Sequence, residues 1–312
     1  MLYLGLFILT AYVMIMFAKR LTVSGETLGD ALGMEASWVG ALLLASITSL
    51  PELIIGGGSA LMGNHSMAVS NIFGSNIFNL FIIFLMDIFI LRNFIFIGEI
   101  DEKEGIDLSK LTLVMTAVFM GGYFLKDLNI LGQSPFILIV LALYLKFLRG
   151  EGGQGEKKKV AFDEIKAPLK IFIMDSAGVV GLGLILSKIS DIIAVTPIMG
   201  YVLGQSIVGA LLLAIATSLP ELTVSIESVR RGNCQQAMGN ILGSNMFNLG
   251  TLFVLDLLSK GSLFTYLGEF NYTLPVVAFM MQGILIGGLY LQKNRSSLIM
   301  GVIYMASLYF VF

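Results

Sequence analysis

Apolar residues in this chain are not spaced at every second or every third to fourth position. They come in long, nearly unbroken runs separated by short polar segments. A helix needs about 20 apolar residues to cross the hydrocarbon core of a bilayer. Runs of that order cover residues 1–18, 37–62, 66–92, 109–125 and 134–149, and then 168–195, 199–227, 234–258, 272–291 and 297–312. The pattern predicts an all-α polytopic membrane protein with ten transmembrane helices. Its longest polar stretch, RGEGGQGEKKKVAFDEIKAP at 149–168, falls between the fifth and sixth runs. The chain therefore divides into a first half, 1–149, a linker, 150–167, and a second half, 168–312.

The second run spoils its own apolar character. VGALLLASITSLPEL at 39–53 admits Thr48, Ser49, Pro51 and Glu52 near its end, and VGALLLAIATSLPEL at 208–222 repeats it at 13 of 15 positions. A further stretch, SNIFGSNIFNL at 70–80, returns as GNILGSNMFNL at 239–249 with 8 of 11 positions matching. Both elements are displaced by the same 169 residues, which marks an internal duplication. The copies lie five helices apart, and an odd offset makes the halves cross the membrane in opposite senses, as two inverted five-helix repeats. Such repeats are typical of secondary transporters, whose sites lie near the midplane where interrupted helices meet.

Composition agrees with this pattern. The chain is 56% hydrophobic and 13% charged, with a mean hydropathy of +0.89, far from soluble averages. Sorting Lys and Arg by the side each loop occupies gives 16 on one side against three, Lys126, Lys188 and Lys260, on the other. The positive-inside rule then places both termini outside the cell and the linker in the cytoplasm, with the plasma membrane as the expected location. Lys19 and Arg20 follow the first apolar run instead of preceding it, so that run reads as a retained helix and not as a secretory signal. Cys234 is the only cysteine and permits no internal disulfide, and the single histidine, His65, falls in a short polar turn. Neither suggests a redox or transition-metal centre. No basic patch interleaved with aromatics points to nucleic acid, and a monomer in the bilayer is the expected unit.

The repeated residues carry the candidate chemistry. Pro51 and Pro220 lack an amide donor and clash with the preceding turn, so each predicts a kink or break. The carbonyls freed there, around Ala45 and Ala214, need a ligand, water or a neighbouring helix; a proline kink satisfied by Ser or Thr is the plainer alternative. Glu52 and Glu221 put a charge at mid-membrane, at a cost of about 2.5–3.5 kcal/mol on insertion scales. No basic residue lies near either in the sequence of the repeated helices, which makes a bound cation or a proton the natural counter-charge. Ser75 and Asn79 are four residues apart and share a helix face, as do Ser244 and Asn248; stitching between helices is their alternative role. Hydroxyls, carboxylates, amide oxygens and main-chain carbonyls are hard donors that suit Ca2+ or Na+ better than zinc or copper. Glycines in these elements, Gly40, Gly56, Gly57, Gly58, Gly74, Gly209, Gly243 and Gly250, predict close helix packing. Asp87 and Asp256 also obey the 169-residue offset and read as helix-end or vestibule residues.

At TSLPE, 48–52 and 217–221, and at GSN followed by Asn, 74–79 and 243–248, the chain resembles the cation/Ca2+ exchanger superfamily, and within it the Na+/Ca2+ exchanger branch with two alpha-repeats. The resemblance covers essentially the whole length. It implies ion-ligand roles for Thr48, Ser49, Glu52, Ser75 and Asn79 from the first half and Thr217, Ser218, Glu221, Ser244 and Asn248 from the second, with the carbonyls of Ala45 and Ala214 assisting Na+. It also implies a central site for Ca2+ or Na+ between the glutamates, flanking Na+ sites, and helices 1 and 6 sliding as a gate. Two kinds of departure from the family pattern occur, at three positions. Ile47 and Ala216 stand where the family usually has Gly, and Asn248 stands where some members have Asp. The GNxxE pattern of the proton-coupled branch is absent.

The expected function is therefore a secondary antiporter exchanging Na+ for Ca2+ by alternating access, electrogenic, with no cofactor and no enzymatic activity. An empty site would carry up to two negative charges through a low-dielectric midplane, so only loaded states should alternate. An H+/Ca2+ or K+-dependent cation antiporter is the alternative, because burial also favours a protonated carboxyl. A cation channel is more distant, and the lone histidine leaves an intramembrane enzyme without its chemistry.

Overall fold

The computed structural model describes residues 2–91, 96–128, 130, 133–149, 162–195, 197–198, 201–202, 216–259, 261–267, 272–292 and 295–311. Apart from a two-residue antiparallel pair, β1 (Pro197–Ile198) with β2 (Tyr201–Val202), the regular structure among them is helical. The first half holds α1 (Leu2–Leu32), α2 (Ala36–Thr48), α3 (Leu50–Leu61), α4 (His65–Leu91), α5 (Glu102–Phe124) and α6 (Pro135–Leu148). The second holds α7 (Phe162–Val195), α8 (Leu219–Arg230), α9 (Cys234–Leu258), α10 (Thr273–Tyr290) and α11 (Ser296–Val311). Among the described residues, six helices are long and apolar enough to cross a membrane, and seven if the bent pair α2–α3 is one span. Helices α6 and α11 are apolar but shorter. Of the expected helical run over 199–227, the described residues are 201–202, which lie in the strand β2 instead of a helix, and 216 onward.

Several helices begin or end outside the apolar runs, for local reasons. Helix α1 continues 14 residues past the expected 18, because Leu21, Ser24, Gly25, Leu28 and Gly29 keep burying one stripe of it. Lys19 and Arg20 thus lie inside a helix. Helix α5 starts at Glu102 because the Asp101 carboxylate caps it, accepting from the Glu104 N–H at 2.9 Å. Helix α7 starts six residues ahead of the expected 168 and carries Pro168 within it. His65 is not in a solvated turn: it opens α4, is buried, sits 3.1 Å from the Ser259 hydroxyl and lies against Tyr266.

Two hydrophobic clusters organise the helices. The larger joins α4, α5, α6, α9, α10 and α11 through residues such as Phe73, Phe78, Met115, Phe119, Leu249 and Met281. The smaller contains the long pair α1 and α7 with the broken helices, through Met14, Leu21, Leu44, Phe172, Val179 and Ala216. Lipid is as apolar as these side chains, so close packing and not water exclusion holds such helices together. Backbones approach closely where α2, a π-helix from Val39 to Leu44, crosses α9. A methyl at Gly40 would overlap the Gln236 carbonyl, and one at Gly243 would overlap the backbone of Ala41. Gly58 and Gly74 face open space, so close packing does not explain every glycine predicted for it.

Asp87 and Asp256 are fully buried and line no vestibule. Asp87 accepts from the Phe96 N–H at 2.9 Å; Asp256 accepts from Ser134 N–H at 3.1 Å and Leu263 N–H at 2.6 Å. Each ties the end of its helix to the chain that follows. Asp256→Ala leaves two buried amides without an acceptor, at about 1–3 kcal/mol each. The expected result is a clear drop in melting temperature in detergent; an unchanged melting curve would show that the loop finds other partners.

Candidate ion-binding site

The sequence TSLPE builds the same break twice. Ser49 has φ −91° and ψ 2°, and Ser218 φ −100° and ψ 17°, both in the sparsely allowed bridge region, with proline at the start of the helix that follows. Helices α2 and α3 meet at 42°. Each serine carbonyl then restarts the ladder, accepting Leu53 N–H at 3.3 Å and Leu222 N–H at 3.0 Å. The expectation of a free carbonyl at Ala45 is not met in this conformation. That oxygen accepts from Ser49 N–H at 3.1 Å and from the Thr48 hydroxyl at 3.3 Å. The carbonyl four residues before Pro51 is that of Ile47, so the expectation at Ala45 lay two residues too far back. Ala214 lies outside the described residues.

The breaks place both glutamates at the start of a helix and bury them, each at 1% exposure. Thr48, Ser49, Ser75, Asn79, Thr217, Ser218, Ser244 and Asn248 are buried with them. The two halves meet directly. Ser49 donates to Glu221 Oε1 at 3.0 Å, and Thr48 and Ser244 hydroxyls lie 3.4 Å apart. Ser75 reaches Glu52 Oε1 at 3.5 Å. Helices α2, α3, α4 and α9 contain no Lys or Arg, and α8 has only Arg230 in its last turn. Among the described residues the ion pairs involve neither glutamate: Arg20–Asp175 at 2.9 Å ties α1 to α7, and Arg231–Glu26 at 2.7 Å ties the α8–α9 turn to α1.

Burial leaves oxygens over. Glu52 Oε2, Glu221 Oε2, Asn79 Oδ1, Asn248 Oδ1 and Ser218 Oγ are inaccessible and accept or make no hydrogen bond. Native interiors rarely tolerate this, since an unmet buried polar group costs about 1–3 kcal/mol. Four of the five form two pairs related by the 169-residue offset. All are oxygen donors, the type that hard cations prefer.

Sequence reasoning missed four asparagines that organise this site. Asn76 and Asn245 exchange hydrogen bonds with each other and with Asn248 and Asn79. Asn71 donates to the Glu52 carbonyl at 3.5 Å and Asn240 to the Glu221 carbonyl at 3.3 Å, each holding the first turn after a break. All four are identical across the repeat, and that signal could have found them. Ile47 and Ala216 pack away from the unpartnered oxygens. Ala216 belongs to the cluster formed with α1 and α7, and Ile47 packs against the same cluster.

Comparisons with known proteins bear on the family and the fold. The sequence profile of the family described as "Sodium/calcium exchanger protein" matches residues 2–149 and 168–312. The chain is 26% identical over 243 residues to the inner membrane protein YrbG of Escherichia coli (strain K12), covering 74% of this chain and 72% of that one. It is 42% identical over 45 residues to the sodium/calcium exchanger MaX1 of Methanosarcina acetivorans, 14% of this chain and 13% of that protein. Its fold is similar to a solved structure of the sodium-calcium exchanger NCX_Mj soaked with 10 mM Na+ and zero Ca2+. The TM-score is 0.74 at 19% identity, with 98% of each chain covered.

Proposed function

The chain belongs to the sodium/calcium exchanger family, and from that premise we propose that it is an electrogenic antiporter that exchanges Na+ for Ca2+ by alternating access. The observation that carries the reading is the duplicated set of unpartnered oxygens on Glu52, Asn79, Glu221 and Asn248. Two carboxylates without a basic partner match the charge of one Ca2+ or two Na+. With Ser49, Thr48, Ser75, Thr217, Ser218 and Ser244 beside them, further Na+ can be held, and exchange of three or more Na+ for one Ca2+ moves net charge. Ala45 would join only after the Thr48 hydroxyl releases its carbonyl; Ala214 is assigned by the repeat alone.

The proposed topology is ten spans in two inverted repeats, 1–149 and 168–312, joined by a cytoplasmic linker, with both termini outside the plasma membrane. The reciprocal pairing of Asn76 with Asn245 supports it, because a contact in which each residue meets the other's counterpart is what a two-fold axis produces. The separate cluster of α1 and α7 against the broken helices supports a gate made of that pair.

The test is Ca2+ uptake into proteoliposomes under imposed Na+, K+ or pH gradients with the membrane potential clamped. Uptake should follow an outward Na+ gradient and respond to the potential. Uptake driven by a pH gradient with Na+ absent would replace this reading with proton exchange, and a strict K+ requirement would make K+ a co-substrate.

A further inference from the structure

We propose that Asn76 and Asn245 are positioning residues that set which end of the Asn79 and Asn248 amides faces the ion. The inference rests on the exchanger reading of the site. A carboxamide is nearly symmetric in shape but not in chemistry: its oxygen can hold a cation, whereas its NH2 group repels one. Burial alone cannot decide between the two orientations. A chain of hydrogen bonds starting from a group that cannot rotate can.

That fixed group is a main-chain carbonyl. Asn245 Nδ2 donates to the Asn76 carbonyl at 3.2 Å, and a carbonyl only accepts, so the amide nitrogen of Asn245 must face it. Asn245 Oδ1 then points the other way and accepts from Asn79 Nδ2 at 3.0 Å. With its nitrogen engaged, Asn79 presents Oδ1 on its far side, buried and without a partner. The second relay has the same form. Asn76 Nδ2 donates to the Asn245 carbonyl at 3.4 Å, Asn76 Oδ1 accepts from Asn248 Nδ2 at 3.1 Å, and Asn248 Oδ1 is left buried and unpartnered. Flipping any one of the four amides would set two acceptors or two donors against each other in a site closed to water. The relay thus holds both ligand oxygens in the orientation a cation needs before it arrives, and each repeat positions the ligand of the other.

A carboxylate at a ligand position has two oxygens and no wrong end, which gives the test its contrast. Ca2+ affinity is measured on purified wild type, Asn76→Ala, Asn248→Asp and the double variant, with melting temperature and elution profile checking the fold. The independent set Asn245→Ala, Asn79→Asp and their double serves where a variant of the first set fails to fold. Asn76→Ala should weaken Ca2+ binding by about 10-fold or more, the usual scale for partners that orient a metal ligand. Asn248→Asp sets a carboxylate oxygen against Asn76 Oδ1, and removing Asn76 in that background should leave affinity unchanged or improve it. Equal losses from Asn76→Ala in both backgrounds, or no loss in either, would overturn the inference while leaving the exchanger reading intact. A wild-type protein that binds neither Ca2+ nor Na+ would overturn both.

Discussion

Glu52→Gln should reduce Na+-driven Ca2+ uptake at least ~100-fold, and Glu221→Gln should do the same, because the charge count of the ligands sets the affinity of a calcium site over several orders of magnitude. Glutamine keeps the shape of the side chain and one oxygen; it removes a negative charge. The loss for Na+ should be smaller than for Ca2+, since a site with one remaining carboxylate still matches a monovalent ion. Stability separates this from a structural role. Each glutamate is buried at 1% exposure with one carboxylate oxygen unpartnered. Without ions the substitution removes a costly buried charge, so the melting temperature in ion-free buffer should hold or rise. The stabilisation that Ca2+ gives the wild type by binding the folded state should disappear. A variant that melts early without ions yet keeps Ca2+ stabilisation would mean that Glu52 or Glu221 supports the fold and does not bind the ion.

The framework of this site was legible in the sequence because the duplication printed it twice. Pro51 and Pro220 predicted broken helices, and matching breaks occur at Ser49 and Ser218. The polar residues of TSLPE and GSN were expected to converge, and Ser49 with Glu221 and Thr48 with Ser244 do meet. Helical spacing failed at Asn76 and Asn245. Residues that share a helix face lie four apart, and these two asparagines lie one residue beyond Ser75 and Ser244. Their role depends on a partner helix 169 residues away, which spacing within one helix does not encode. The long α1 failed for a different reason. Hydropathy ends a span where polarity rises, but Ser24, Gly25 and Gly29 are small enough to bury, and Gly25 and Gly29 lie against Leu44 and Val39. Asp87 and Asp256 were legible as helix-end or vestibule residues, and their bonds to backbone amides fit the first reading; a repeated carboxylate looks the same whether it serves an ion or a backbone amide.

The movement that exposes the site to either side should depend on Gly183, and Gly183→Leu should slow exchange about 5- to 100-fold while leaving Ca2+ affinity within about 3-fold of wild type. The range follows from an overpacking cost of ~1–3 kcal/mol at tenfold in rate per 1.36 kcal/mol. Gly183 lies on α7 where that helix crosses the first break, and a Cβ there would stand 3.0 Å from Pro51 Cγ. Helices α1 and α7 share an apolar cluster with the broken helices, to which Leu44 and Ala216 contribute, and Ile47 packs against it. Such a surface offers shape and few directional bonds, so a sliding pair can leave one packed position for another without stranding polar groups. A leucine at 183 adds a branched side chain where α7 passes over the rigid ring of Pro51, and its cost should fall on the passage. Binding should be spared because the proposed ligand oxygens belong to α2, α3, α4, α8, α9 and the breaks between them, none of which the substitution enters. Gly183→Ala, needing only a few tenths of an ångström from the ring, should stay close to wild type. Exchange at the wild-type rate in the leucine variant would show that α7 does not move across Pro51, and a matching loss of affinity would show that the substitution distorts the site instead of the gate.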